Sequence, residues 1–315
     1  MKFSVLAGGV GGAKLANGLS KWLSPDDMAV IVNTGDDFEF LGFYICPDID
    51  TVMYNLAGIN NPDTGYGIKD DTFNVIKNLE KLGTESWFHI GDSDIANQIK
   101  RTMQLNAGIP LSDIIEETSK ALGNTHLIFP MSNEPVRTWV VTNEGESLPF
   151  QEYFVKRHFQ PEVKQILFKG SEESKLPKKA HEFMESSQLV IICPSNPYVS
   201  IDPILSVPGV REILQNKTVV AVSPLISGKT VKGPAAKIMS ELGIDVSVTS
   251  IARHYQPLIK GIVIDTQDRQ ETEQISHCGI IPYVTDILMP DTQAQERLAG
   301  EVINFSIQLH KESAA

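Results

Sequence analysis

A glycine-dense segment, Gly8-Gly9-Val10-Gly11-Gly12-Ala13-Lys14, directly follows an apolar run. Glycines there let main chain approach a phosphate, whose charge then falls on the amino end of the next helix. Neither standard fingerprint is met. Read as Gly-x-Gly-x-x-Gly from Gly9, the segment has Lys14 where the third glycine belongs, and Ala13 and Leu15 around Lys14 break the P-loop pattern. A tight strand-to-helix turn without a ligand would use the same glycines, and Lys14 could equally be a solvated side chain of the first helical turn.

Pro47-Asp48-Ile49-Asp50-Thr51 is the second chemically suggestive segment. Two carboxylates two residues apart leave an extended stretch on the same side. Mg²⁺ takes such an oxygen pair while keeping water and substrate phosphates as its other ligands. Asp48 or Asp50 would equally serve to cap the helical pattern that follows. Asn33-Thr34-Gly35-Asp36-Asp37 adds two more acids, which favour a metal if the two segments meet. Gly91-Asp92-Ser93-Asp94 stands before another helical pattern, where aspartates also suit the helix dipole. His89 lies three residues before Asp92, but the seven histidines show no metal-ligand spacing. No nucleophile-elbow or Ser-His-Asp signature is present.

These segments need a frame to bring them together. Short β-branched runs at 2–7, 29–33, 126–130, 137–142, 163–169, 189–193, 218–222, 244–248 and 261–265 read as strands. Continuous runs such as Leu189-Val190-Ile191-Ile192 suit strands buried on both faces of a parallel sheet. Helical patterns cover 12–23, 71–82, 95–106, 111–122, 203–215, 234–242 and 291–310. The alternation predicts an α/β fold: a Rossmann-like, doubly wound, mostly parallel sheet. Residues 52–122 read as a helical insertion, a lid or the acceptor side of a cleft. Residues 1–51 and 123–315 form the nucleotide-binding core, with antiparallel additions over 137–170.

Ligands of such sheets bind beyond the carboxyl ends of the strands. Besides the glycine loop and 33–37, those ends carry Pro194-Ser195-Asn196-Pro197 and Ser223-Pro224-Leu225-Ile226-Ser227-Gly228-Lys229. Four polar, backbone-permissive loops on one edge point to a polar ligand.

Composition limits what that ligand's partners can be. The 315 residues carry 27 basic and 39 acidic side chains, a net charge of −12. That argues against nucleic acid or an anionic membrane as partner, so an anionic ligand must be met locally. Cys46, Cys193 and Cys278 are odd in number and far apart, which suits a reducing cytoplasm. No apolar stretch approaches the ~20 residues of a membrane span, and the amino terminus is apolar too briefly for a signal peptide. A cytoplasmic homodimer is the expectation.

With these motifs in hand, the chain resembles the 2-phospho-L-lactate transferase family of coenzyme F-420 biosynthesis. The carrying residues are Leu6 to Leu15, Asn33 to Asp37, Pro47 to Thr51, Gly67-Ile68 with Asp71-Thr72-Phe73, and Trp87-Phe88 with Gly91 to Asp94. Pro130-Met131-Ser132, Gly170-Ser171, Pro194 to Pro197, Ser223 to Ile226, Lys232-Gly233-Pro234-Ala235 and Tyr255 continue the series in order. The resemblance implies a donor in which a three-carbon acid is linked to guanosine diphosphate. It implies the ribityl hydroxyl of the deazaflavin FO as acceptor, with GMP leaving. Mg²⁺ is expected on Asp48 and Asp50. The acceptor is expected near Asp50, Thr51, His89 and Asp92, with Asp50 or Asp92 a candidate to accept the ribityl proton. The guanosine nucleotide is expected along Gly8, Gly9, Gly11, Gly12 and Lys14, and along Ser195, Asn196, Pro197, Ser223 and Pro224. Lys14 or Lys232 would help neutralise phosphate charge.

Ser93 departs from the family pattern, in which a basic residue is associated with that place. The departure leaves 2-phospholactate, phosphoenolpyruvate and 3-phosphoglycerate derivatives open as the acid. Two rivals belong to other classes. A nucleotide-sugar-binding regulator of a sister family would carry an acidic-Gly-Gly-Ser-Ser stretch, whereas Asp36-Asp37 is followed here by Phe38-Glu39-Phe40. A nicotinamide oxidoreductase rests on fold alone, and Asn33 stands where its acidic residue belongs.

Overall fold

A computed structural model describes residues 1–231 and 233–314. Lys232 therefore lies outside the described residues. β1 (Phe3–Ala7) leads through α1 (Gly9–Leu19) to β2 (Met28–Val32). A hairpin, β3 (Phe38–Phe40) and β4 (Phe43–Ile45), precedes α2 (Pro47–Ala57), α3 (Asn74–Lys81), α4 (Asp92–Asn106) and α5 (Leu111–Ala121). β5 (Leu127–Pro130) is followed by β6 (Arg137–Thr142), β7 (Ser147–Pro149) and β8 (Val163–Lys169). Next come α6 (Lys178–Ser186), β9 (Leu189–Ile192), α7 (Asp202–Leu205), α8 (Val210–Gln215) and β10 (Thr218–Val222). A small hairpin, β11 (Leu225–Ile226) and β12 (Lys229–Thr230), leads to α9 (Ala235–Glu241) and α10 (Val248–Tyr255). β13 (Gly261–Asp265), α11 (Thr272–His277), β14 (Ile281–Thr285) and α12 (Thr292–Ala314) close the chain.

Seven strands form one parallel sheet in the order β14-β13-β10-β9-β1-β2-β5. Their apolar runs are dictated by burial on both faces. Along β1, Leu6 enters one core with Ile31, Val190 and Ile192, while Val5 enters the other with Val30 and Ile191. From β1 the chain moves toward β2 and β5, and from β9 it moves the opposite way, so strand order reverses between β1 and β9. A doubly wound sheet opens its ligand crevice at that place.

The segment 137–170 supplies the expected antiparallel pairing as a separate sheet, β7-β6-β8. Within 52–122 the helices divide. α2 packs on α1, and α5 packs on β5. α3, α4 and the β3–β4 hairpin enclose a third apolar cluster around Phe40, Ile45, Ile76 and Ile95. Residue 52 itself falls inside α2. No helix among the described residues is long and apolar enough to cross a membrane.

Several elements differ from the sequence pattern. Residues 244–247 are irregular and Val248 opens α10, because the Ser247 hydroxyl accepts the Ser250 N–H and caps the helix. Capping there overrides the β propensity of the valines. The single helix expected over 203–215 is broken between α7 and α8, where Pro208 lacks an N–H and Gly209 has φ +87°. β14 is an edge strand that tolerates Pro282, the residue that disguised it. The β3–β4 hairpin turns at Leu41-Gly42 with φ of +54° and +78°, the backbone that tight hairpins need.

Candidate active site

The crevice between β1 and β9 is lined first by main chain. Gly8 is the N-cap of α1 and has no side chain to cap it, and the first turn holds no acidic residue. Asp48 of α2 accepts the Gly9 N–H, so the N–H groups that follow are the ones left for a further anion. A Cβ on Gly8 would stand 2.5 Å from Asp48 Oδ2 and 2.7 Å from Ser200 Cβ. Only glycine lets these groups meet. Ser195 ties the two central loops together: its hydroxyl donates to the Gly8 carbonyl at 2.7 Å and accepts the Gly8 N–H at 3.1 Å.

Beside this loop lies a cavity of about 100 Å³, walled by Gly11, Lys14, Asn196, Ser223 and Pro224, with Leu288 and Met289 opposite. Sites that swallow a whole ligand run ~300–1,000 Å³, so this cavity alone is too small to enclose a nucleotide. Asn196 Oδ1 accepts the Tyr198 N–H, which leaves its Nδ2 without a partner among the described residues. Ser223 is engaged in its own turn through the Leu225 N–H at 3.0 Å. Lys14 Nζ donates to the Met289 carbonyl at 2.8 Å, which anchors the loop after β14 to α1. Pro197 is buried behind Asn196, at the first position of a short π-helical turn.

The second part of the site is acidic and buried. Asn33, just past β2, donates its amide to Asp36 Oδ1 at 3.0 Å and to Asp48 Oδ2 at 2.9 Å. Gln151 reaches Asp36 Oδ2 from beyond β7 at 3.0 Å. Burial pushes Asp48 up to about 6, although Asn33 and the Gly9 N–H pull the other way. Burial, with Asp48 and Asp37 beside it, holds Asp36 well above the usual carboxylate range. Asp37 is 1% exposed, and its carboxylate has no N–H or O–H donor among the described residues, only the weak thiol of Cys46 beside it. Burial raises it to about 7 against the charge of Arg137.

Asp50 points elsewhere. Asp48 and Asp50 belong to the first turn of α2 and not to an extended stretch before it. Residues two apart on a helix diverge by about 200° around its axis. Asp50 therefore meets α4: Oδ1 accepts from Asn97 at 3.0 Å and from Arg101 Nη2. Its Oδ2 accepts from Gln98 at 2.9 Å and from Arg101 Nη1 at 3.1 Å. Four donors saturate a carboxylate. Asp50 fits a helix-to-helix anchor; it does not fit a metal ligand or a free base. Thr51 is buried in α2, where its carbonyl accepts from Asn55.

Asp92 is also committed. Its carboxylate accepts from the Thr72 hydroxyl, the Val75 N–H at 3.0 Å and both nitrogens of Asn74 at 3.1 Å. These bonds, led by Thr72, lower it to about 2. Asp71 returns the favour by accepting the Ser93 and Asp94 N–H groups, so the two acids cap α4 and α3 crosswise. His89 is exposed. Trp87 and Phe88 pack on Phe38 and Phe40 with ring centroids 4.9–6.0 Å apart, and Phe73 is largely solvent-facing. Asp94 lies half-buried near Tyr54, and burial followed by the charge of Asp50 raises it to about 7.

The hard-oxygen pair that suits Mg²⁺ is thus Asp36 with Asp48. Among the described residues no three His, Cys, Asp or Glu side chains form a ligand group. Mg²⁺ needs only one or two carboxylates when waters and phosphates complete its shell. Sequence reasoning missed Asn33, Arg101 and Gln151. The polar triplet Asn97, Gln98 and Arg101 on one helix was the available signal for the second of these.

A helix terminus at the switch point, adjoining buried carboxylates, defines an α/β fold with a polar crevice of the kind that takes charged ligands. Comparison with known proteins narrows this. The profile described as 2-phospho-L-lactate transferase CofD matches residues 4–303. A 2-phospho-L-lactate transferase of Methanocaldococcus jannaschii is 38% identical over 305 residues, 96% of this chain and 97% of the relative. One from Methanopyrus kandleri is 39% identical over 98% and 99% of the two chains. A phosphoenolpyruvate transferase of Streptomyces griseus is 37% identical over 97% and 98%. A crystallised Bacillus halodurans protein shares the fold, with a TM-score of 0.62, 16% identity and coverage of 96% and 99%. The chain belongs to the 2-phospho-L-lactate transferase family, a family of transferases.

Proposed function

We propose that the protein moves a phosphorylated three-carbon acid from a guanosine-diphosphate-linked donor to the ribityl hydroxyl of the deazaflavin FO, releasing GMP. The observation that carries this reading is the contact of Asp48 with the glycine loop, which sets buried carboxylates beside the amino end of α1 at the switch point. Transfer of this kind asks for in-line positioning and charge neutralisation more than for covalent chemistry. The N–H groups opening α1 and the Asn196 amide meet the donor's phosphates, and Lys14 keeps the adjoining wall in place. Asp36 and Asp48 would hold Mg²⁺, which when bound neutralises charge on the phosphate oxygens. Asp50, locked to Arg101, fixes α2 so that Asp48 stays directed at the glycine loop. Asp94, part-exposed in the first turn of α4 with Tyr54 and Gly67 beside it, would be the acid in reach of a ribityl hydroxyl, and its value near 7 suits a base at neutral pH. Asp92, near 2, does not.

Relatives of almost equal identity carry the phospholactate and phosphoenolpyruvate names, so either acid is a proposed cargo. Thermal melting with GDP, UDP-N-acetylglucosamine and NAD tests the nucleotide part. A ligand bound only by the folded chain raises the melting temperature by mass action. GDP should shift it and NAD should not. A shift with the UDP-sugar alone would favour the non-catalytic regulator.

A further inference from the structure

The two acid systems of the site are built differently. Asp50 is paired with a guanidinium, which cancels its charge in place. Asp36 and Asp48 are instead joined by a neutral amide. Asn33 Nδ2 spends its two hydrogens on these carboxylates, which come from separate elements, and the Val199 carbonyl lies near the same nitrogen at 3.3 Å. The amide cannot turn over. Its Oδ1 accepts the Gly35 N–H at 2.7 Å, and the flipped form would set an oxygen against three acceptors. Gln151, also neutral, holds the far oxygen of Asp36. A lysine or arginine here would draw the carboxylates together and neutralise them. An amide draws them together and supplies no charge to neutralise them, so a cation still finds both carboxyl groups available to it.

We propose that Asn33, supported by Gln151, is a positioning residue that presets the Asp36–Asp48 pair for a divalent cation without consuming its charge. The inference rests on the transferase reading of this site. It goes beyond that reading by assigning the cation's affinity to two side chains that do not ligate it. Asn33 works through the two aspartates. Removing it lets the two carboxyl groups move apart, and cation binding then has to include the cost of bringing them back.

The test measures Mn²⁺ binding to the full chain by electron paramagnetic resonance of the free ion, with Mg²⁺ competition, and GDP binding separately in metal-free buffer. Asn33→Ala should raise the Mn²⁺ dissociation constant tenfold or more while the GDP constant moves less than threefold. Gln151→Ala should move Mn²⁺ binding in the same direction by a smaller factor, and it carries the test if Asn33→Ala does not fold. A folded Asn33→Ala that binds Mn²⁺ within twofold of the wild type overturns the inference. Parallel losses of Mn²⁺ and GDP binding overturn it too, since a merely structural residue would act that way. A wild-type chain that binds GDP but no Mn²⁺ sinks the metal-dependent reading and this inference together. Normal wild-type binding with an unchanged variant sinks this inference alone.

Discussion

Replacing Asp37 by Asn should stabilise the metal-free protein, and by more as the pH rises. Asp37 is 1% exposed, has only the Cys46 thiol as a donor beside it, and is raised to about 7 by burial. An unfolded aspartate titrates near ~3.9. Between those two values the folded chain holds a proton that the unfolded chain has released. The carboxyl's contribution is therefore most favourable below the unfolded value and is lost as the pH rises through the folded one. Asn has nearly the same shape and no charge, so Asp37→Asn removes this dependence. Integrating at ~1.4 kcal/mol per pH unit, the variant's gain is about 1.5 kcal/mol at pH 5 and about 4 kcal/mol at pH 8, as upper bounds. Attraction to Arg137 acts on the ionised form and is already contained in the value of about 7; any new amide contact adds an offset that is the same at both pH values. The slope is thus the diagnostic quantity. Urea unfolding followed by far-ultraviolet circular dichroism, in metal-free buffer from pH 5 to 8, measures it. A stability difference that stays flat across this range would refute the reasoning.

Other substitutions separate the roles of the acids. Asp48→Asn should leave the fold intact and lower transfer by a hundredfold or more, about 3 kcal/mol of barrier, with an altered Mg²⁺ requirement; near-normal rate and unchanged Mg²⁺ dependence would exclude ligation there. Arg101→Met strands the buried Asp50 charge and should cost about 3–5 kcal/mol in urea unfolding, much of it recovered by adding Asp50→Leu. A loss below about 1 kcal/mol would mean that the pair is not buried in solution. Asp92→Ala should speed amide exchange at residues 74–78, where it caps α3, and change the transfer rate less than threefold. A hundredfold rate loss would put Asp92 back into the chemistry.

The parallel sheet was legible because burial on both faces demands unbroken runs, and Leu189-Val190-Ile191-Ile192 could hardly be read otherwise. The loops at its carboxyl edge were legible for the same reason: once the strands are placed, Gly8 and Asn196 have nowhere else to go. Register and helix phase were not. Starting α2 at Pro47 turns Asp48 and Asp50 to different sides, and no composition rule fixes that start. Long-range pairing was hidden as well. Arg101 lies 51 residues from Asp50 and Gln151 lies 115 from Asp36, so neither partnership leaves a local pattern. Asp92 kept its place but changed its meaning, because its crosswise exchange of caps with Asp71 depends on how α3 and α4 meet.

The central claim is that this site transfers the phosphorylated acid from a guanosine-linked donor to a deazaflavin. Purified protein with Mg²⁺ and FO would be given the phospholactate-linked and, separately, the phosphoenolpyruvate-linked guanosine diphosphate donor, and the products resolved by mass spectrometry. One donor, at least, should yield GMP and the FO phosphodiester in equal amounts, and Asp48→Asn should lower both a hundredfold or more. Failure of both donors to yield a phosphodiester, in protein that binds GDP and Mn²⁺, would contradict it.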